Sequence, residues 1–225
     1  MEKQLRNVQI TMVACGQFVV LTIFAMLVYA GGTGDNKTAS GYTFFNNYFS
    51  DLGMTVAHSG RANTLSAILF FVALSVAGLG LILYFWQAPR LMSHTPAGTN
   101  LSRIGSFFGI IAGLGYIGVA FTPANLLLNP HVLFVQIAFL SFEIAVLFYI
   151  FAVFADGHYP KQMAVVYLVF AVALAAYLVL IFGNFDFGDN RLTISVTGQK
   201  LIVYAAIITM LIQANGSRRV LKGEL

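Results

Sequence analysis

The chain has 225 residues, of which 59% are hydrophobic and only 9% are charged, and its mean hydropathy is +0.83. A soluble domain carries about 25% charged residues, so this composition excludes a water-soluble globular protein and indicates a membrane protein. The formal net charge of +4 comes from scattered basic residues, and without a basic stripe we expect no nucleic-acid partner. The single cysteine, Cys15, excludes an intrachain disulfide and a cysteine-rich metal site.

Six apolar segments are each long enough to cross a hydrocarbon core of about 30 Å as a helix. In chain order they cover approximately residues 8–30, 62–85, 102–122, 132–154, 162–183 and 194–214. The first segment is longer than the core of a signal peptide, about 7–15 residues, so we interpret it as a span. The loops are too short for a second domain. The predicted fold is therefore all-α: a single transmembrane domain, residues 1–225, built as a six-helix bundle.

The distribution of Lys and Arg predicts the orientation in the membrane, because cytoplasmic loops carry an excess of both. With the N-terminus inside, the inner side receives eight of these residues: Lys3, Arg6, Arg90, Arg103, Lys161, Arg218, Arg219 and Lys222. The outer side receives four: Lys37, Arg61, Arg191 and Lys200. We therefore expect both termini to be cytoplasmic.

The first loop contains the segment YTFFNNYFSDLG at residues 42–53, which we name the aromatic cap. It combines five aromatic side chains with Asn46, Asn47, Ser50 and Asp51. Aromatic rings belong at the membrane–water interface, but four clustered polar residues need partners. We expect a re-entrant or interfacial segment whose polar side chains face the ends of neighbouring helices.

The third predicted span contains Gly105, Gly109 and Gly113 at intervals of four residues. This spacing lets a neighbouring helix backbone approach closely. One interpretation is tight packing inside the bundle, with the second span as partner because it has small residues of its own. The alternative is an interface for a homodimer or another membrane protein.

The fourth predicted span carries Gln136 and Glu143, seven residues apart and therefore on one helix face. A charged group at the centre of a span costs at least about 2.5–3.5 kcal/mol, so Glu143 needs a reason to be there. It could handle a proton or substrate, or it could be a hydrogen-bonded glutamate that packs helices together.

More polar residues collect at the outer ends of the later spans. Arg61 precedes the second span and His131 begins the fourth, while Gln199 and Lys200 come early in the sixth. A lysine near a helix end commonly snorkels to water. With the polar residues of the aromatic cap, these positions predict one outward-facing ligand site. Its members are Asn46, Asn47, Ser50, Asp51, Arg61, His131, Gln199 and Lys200.

Three chemistries are available at this predicted site. Zinc needs three or four ligands, but the outer side offers only Asp51, His58 and His131, so we expect no metal and no cofactor. Ser50, Asp51 and His131 could form a hydrolase triad, although adjacent Ser and Asp make poor triad geometry. An anionic lipid headgroup held by Arg61 and Lys200 needs the fewest assumptions. We interpret several other residues as solvated loop positions: His58, Asp35, Lys37, Asp186 and Asp189.

Three short motifs in this order resemble a family of six-span prokaryotic membrane proteins, domain of unknown function 998. The family's Asn-x-x-Ser-Asp/Glu-Leu-Gly loop matches Asn47 to Gly53, its histidine after a Phe-Pro turn matches His131, and its entry to the sixth helix matches Gly198 to Lys200. The chain departs from the pattern at Phe121, Thr122 and Pro123, where the family has a tighter Phe-Pro pair. The resemblance implies a multi-pass protein of a prokaryotic inner membrane. The family is distantly similar to proteins of GPI-anchor lipid remodelling and to DRAM-type modulators.

Three functional hypotheses follow, and the enzymatic one is not our first. The first is a protein that binds or transports a lipid or small amphiphile at the outward-facing site, with membrane lipids as partners. The second is a membrane-embedded hydrolase or transferase, whose pH-dependent activity His131→Gln would abolish. The third is an accessory subunit that docks through the glycine stripe, so that Gly109→Leu would prevent assembly.

Overall fold

A computed structural model describes residues 1–183, 185 and 187–224 of the chain. Over these residues it is all-helical, and six helices are long and apolar enough to cross a membrane. They are α1 (Glu2–Leu27), α2 (Thr64–Gln87), α3 (Pro96–Phe121), α4 (Leu128–Asp156), α5 (Lys161–Phe182) and α6 (Arg191–Leu221). The predicted six-helix fold of an integral, multi-pass membrane protein is confirmed.

Helices that follow one another in the chain pack side by side, and α1 also packs against α6, so the bundle closes into a ring. Both chain termini therefore lie at one end, which we call the termini side, together with the α2–α3 and α4–α5 connections. The other three connections lie at the opposite end, the cavity side. Which side faces the cytoplasm stays a prediction.

Most helices extend beyond the apolar runs that predicted them, and capping residues mark two of these ends. The predicted third span began at residue 102, but α3 begins at Pro96, where the Thr95 hydroxyl accepts a hydrogen bond from the Gly98 amide at 3.0 Å. Similarly, α4 continues to Asp156 and stops at Gly157, whose φ of +73° suits glycine.

The glycine stripe of α3 is occupied by contacts inside the bundle. A Cβ atom on Gly109 would lie 2.3 Å from the ring of Phe85 in α2, and one on Gly105 would lie 2.7 Å from Tyr149 in α4. Gly113 approaches the carbonyl oxygen of Gly78 in α2. The packing interpretation and the choice of α2 as partner agree with these contacts. Since these faces of the glycines are filled, the stripe is not free for a second chain, and we expect Gly109→Leu to disrupt the fold itself.

Residues 28–63 fold over the cavity side as one compact segment, which we call the cap. It includes the aromatic cap of residues 42–53, in which Phe49–Gly53 forms a 3-10 helix. Asn63 holds this segment together, since its amide group donates to the carbonyls of Leu52 and Met54 and its oxygen accepts from the Ala30 amide. Phe49 anchors the cap by packing against Phe18 and other aromatic rings of the bundle. The expectation of a non-spanning aromatic cap therefore agrees with the structure.

Candidate functional site

A cavity of about 630 Å³ lies at the cavity side, between the cap, the first turns of α4 and α6, and the last turns of α5. Its polar lining includes Asn46, Ser50, Asp51, His131, Gln136 and Gln199. Its apolar lining comes mainly from α4 and α5, and includes Leu128, Val132, Val135, Leu180 and Ile181. One cavity thus combines two sets of lining residues: the polar set, which we call the polar floor, and the apolar set, which we call the apolar wall.

Asp51 is the central acceptor of the site and is only 5% exposed. Its Oδ2 atom accepts hydrogen bonds from the Asn47 side-chain amide and the Tyr48 backbone amide, both at 3.0 Å. The Nε2 atom of His58 lies 3.3 Å from the same oxygen. Within the described part of the chain, Oδ1 makes no hydrogen bond, and Asp51 lines the cavity. One carboxylate oxygen therefore organises the cap and the other is available to a ligand.

His58 has a defined tautomer, in which its ring donates a hydrogen to Asp51. The Lys37 ammonium, which can only donate, lies 3.4 Å from Nδ1 of His58. Nδ1 is consequently the acceptor, and Nε2 carries the hydrogen that points to Asp51. His58 is half-buried and lines the cavity, so its interpretation as a solvated loop residue was wrong. Asp35 and Lys37 are exposed, as expected, whereas Asp186 and the side chain of Asp189 lie outside what the structure describes.

Lys200 is fully buried and does not line the cavity. Its ammonium donates to the backbone carbonyls of Asn47 and Val196 and lies 5.0 Å from the centre of the Phe44 ring and 5.5 Å from that of Tyr42. The expectation that Lys200 snorkels to water was therefore wrong. Lys200 instead joins α6 to the cap through its hydrogen bond to the Asn47 carbonyl.

Asn47 joins Lys200 to Asp51 and does not face the cavity itself. Its side chain accepts from the Thr43 amide and donates to the Gly32 carbonyl and Asp51. All of its side-chain bonding groups are thus used within the cap. The predicted ligand residue is a scaffold residue, although it positions the carboxylate that a ligand can reach.

His131 presents one ring nitrogen to the cavity. Its Nδ1 atom lies 2.6 Å from the Thr122 carbonyl oxygen, which can only accept, so Nδ1 carries a hydrogen. In the neutral ring Nε2 then holds the lone pair, and His131 lines the cavity. The Thr122 carbonyl therefore fixes the tautomer in which Nε2 of His131 is a hydrogen-bond acceptor. Thr122 lies in the stretch where the chain departs from the pattern of the family that it resembles.

The remaining predicted residues divide by position. Gln199 accepts from the Phe49 amide through Oε1 at 2.7 Å, which leaves its amino group for the cavity. Arg61 is exposed and outside the cavity lining. Glu143 is half-buried two turns below Gln136, also outside that lining. Its Oε2 atom is buried and has no hydrogen-bond partner among the described residues.

These positions change two interpretations of the chemistry. Arg61 and Lys200 do not face the cavity, so the geometry does not support them as a clamp for an anionic headgroup. Asp51 is bonded to His58 and His131 to Thr122, so a Ser50–His131–Asp51 hydrogen-bond relay is not assembled. Among the Lys and Arg residues that the structure describes, the one lining the cavity is Arg191, at the start of α6.

Two tyrosines of the cap stay protonated and hold its backbone. Burial raises the pKa of Tyr29 to about 12 and also raises the pKa of Tyr42. The Tyr42 hydroxyl donates to the Tyr48 carbonyl at 3.1 Å, while the Tyr29 hydroxyl accepts from the His58 amide at 3.4 Å. These bonds should be insensitive to pH in the physiological range.

Sequence reasoning missed two groups of residues. Arg191 had been counted only for topology, although its place at the outer end of a span next to Gln199 and Lys200 was a usable signal. His94, Asp156 and His158 meet at the termini side, an end of the bundle for which the sequence predicts no ligand site. Asp156 and His158 are close in sequence, but His94 comes from another loop.

Searches for related proteins found no match: no family model, no curated protein and no solved structure is similar to this chain. The resemblance to domain of unknown function 998 therefore stays a prediction. The class of the protein, a multi-pass membrane protein, rests on the fold alone.

Proposed function

We propose that the cavity binds the polar headgroup of a membrane lipid or small amphiphile. The observation that carries this proposal is the combination of a polar floor and an apolar wall in one cavity of about 630 Å³ at the end of the bundle. A headgroup would meet the floor, and the adjoining acyl chain would lie against the aliphatic residues of α4 and α5. Binding pockets of this kind are mostly apolar with a few polar groups that set orientation.

The polar floor favours a headgroup that donates hydrogen bonds. Oδ1 of Asp51 and Nε2 of the neutral His131 ring are both acceptors, and Asp51 adds a negative charge that favours an ammonium group. Arg191 and the Gln199 amino group can donate to phosphate oxygens at the same cavity. This set fits an amino- or hydroxyl-bearing phospholipid headgroup better than a purely anionic one.

Native mass spectrometry on protein extracted with its own lipids provides the test. We expect a discrete lipid adduct on the wild type, and its loss from Asp51→Asn and from His131→Gln. Arg61→Ala is the matched control, because this exposed cation lies outside the cavity and its loss should leave the adduct in place. An adduct of equal intensity on all four proteins would overturn the cavity as the binding site.

Delipidated protein then tests the class of headgroup. Phosphatidylethanolamine and phosphatidylglycerol carry N–H or O–H donors, whereas the quaternary ammonium of phosphatidylcholine carries none. We expect phosphatidylcholine to bind at least tenfold more weakly, which corresponds to about 1.4 kcal/mol. Equal binding of the three lipids would show that the acceptors do not select the headgroup.

A further inference from the structure

His94, Asp156 and His158 form a cluster at the termini side, at the opposite end of the bundle from the cavity. His94 lies in the α2–α3 connection, Asp156 ends α4, and His158 follows two residues later. Each residue offers one ligand atom, and these atoms all lie within 4.8 Å of one another. The Asp156 side chain is fully buried, while that of His94 is 52% exposed, so the cluster can be reached from water.

The hydrogen bonds of His158 leave its Nε2 atom available as a ligand. The ring stacks on that of His94, with 4.3 Å between centroids and 22° between planes, so binding of one ion by both rings requires one of them to rotate. The Nδ1 atom of His158 lies 3.2 Å from the carbonyl oxygen of Asp156 and must donate to it. In the neutral ring, the lone pair is then on Nε2. A histidine that donates one N–H to a backbone carbonyl and presents the other nitrogen is the usual arrangement of metal-binding imidazoles.

His94 and Asp156 have the spacing of two ligands of one ion. Nδ1 of His94 lies 3.1 Å and 3.3 Å from the two carboxylate oxygens. Two ligands at 2.0–2.1 Å from a tetrahedral zinc are roughly 3.3 Å apart. The carboxylate is held in place by the backbone amides of His94 and Tyr159, so its position does not depend on the histidine rings.

We propose that His94, Asp156 and His158 bind a divalent transition metal of the zinc type. Two imidazoles and one carboxylate are a common zinc donor set, and the exposed side of the cluster leaves a coordination position for water. The ion would join the α2–α3 connection to the α4–α5 turn, which are held together without it by the backbone bonds to Asp156. Binding should therefore stabilise the termini side while leaving the cavity unchanged.

Isothermal titration calorimetry with zinc chloride tests the site. The protein is used in detergent micelles, freed of any histidine tag and stripped of metal with EDTA. We expect one zinc ion per wild-type chain, at least tenfold weaker binding to His94→Ala or His158→Ala, and none to the double variant. Both histidines are exposed and the His94 backbone amide remains, so these variants should fold. His58→Ala, which removes a histidine at the other end, should bind zinc like the wild type.

Cobalt provides an independent readout, because its visible absorption reports nitrogen and oxygen ligands directly. We expect an absorption band at one equivalent of cobalt and a rise in the unfolding temperature with zinc, both absent from the double variant. Zinc binding to the double variant that equals the wild type would overturn the assignment. So would a wild-type protein that binds no zinc at all, since the cluster would then be a metal-free hydrogen-bonded clasp.

Discussion

Two buried aspartates, Asp51 at the cavity side and Asp156 at the termini side, have similar surroundings but different uses. They are 5% and 1% exposed. Each accepts a backbone amide of its own turn and lies within 3.3 Å of a histidine nitrogen. Asp156 uses both oxygens, since Oδ1 accepts from the His94 amide and Oδ2 from the Tyr159 amide. Asp51 concentrates its bonds on Oδ2 and leaves Oδ1 to the cavity.

The comparison shows how one residue type can hold a loop in place at one end of a bundle and also serve a binding site at the other. Holding a loop requires that backbone donors meet the carboxylate, and both residues meet that requirement. Accepting a hydrogen bond from a lipid headgroup also requires an oxygen without a donor among the described residues, whereas the zinc ion proposed for Asp156 can use the second lone pair of an oxygen that already accepts an amide. Counting the partners of each oxygen therefore separates the two uses better than burial does.

The largest effect is expected for Asp156→Asn. Asparagine replaces one carboxylate oxygen with an amino group, which cannot accept a hydrogen bond. In either orientation of the side chain, the backbone N–H of His94 or of Tyr159 would therefore lose its acceptor. We expect a loss of roughly 2–3 kcal/mol of unfolding free energy, the upper part of the range for an unsatisfied buried polar group. Denaturant titration of the protein in micelles measures it. A change below about 0.5 kcal/mol would mean that the two amides find other acceptors.

Lys200→Met should have the next largest effect. Methionine has a similar length but cannot donate, so the Asn47 carbonyl loses its bond to Nζ and the cap loses one of its ties to α6. We expect a loss of about 1–2 kcal/mol and faster hydrogen exchange in residues 42–53. Unchanged exchange there would contradict the role of Lys200 as the support of the cap. The exposed Lys37 is the matched cation for comparison.

Asp51→Asn should cost less stability than Asp156→Asn, although it is the same chemical change. The amide oxygen can take the place of Oδ2 and keep its donors, while the amino group faces the cavity. We expect a loss of about 1 kcal/mol or less, together with loss of the lipid adduct. Equal destabilisation by the two substitutions would break the comparison, because it would show that Oδ1 of Asp51 is also needed by the fold.

The smallest effect is expected for Lys37→Gln. This exposed side chain contacts only Nδ1 of His58 among its described partners, and surface interactions of this kind contribute little. The unfolding free energy should change by less than about 0.5 kcal/mol, and lipid binding should persist. A larger loss would mean that the Lys37 ammonium fixes the His58 tautomer more strongly than its exposure suggests.

Much of the candidate site could be predicted, because polar residues at the ends of apolar runs need a reason to be there. Asp51, His131 and Gln199 were identified from that argument, and all three line the cavity. The same argument could not distinguish them from Lys200, which is just as polar and lies next to Gln199. Lys200 is buried because the cap folds back over α6 and offers it the Asn47 carbonyl, a contact between residues 153 positions apart.

The sequence by itself determined that this is a membrane protein of six helices, because the length of an apolar run must match the thickness of the hydrocarbon core. It also determined that α3 packs closely, since glycines spaced by four residues admit a neighbouring backbone. Only the tertiary structure decided which polar groups face the cavity and which hold the cap. It alone brought His94 to Asp156, 62 positions away. Those outcomes depend on where irregular loops fold, and loop conformation is set by long-range hydrogen bonds that no local pattern encodes.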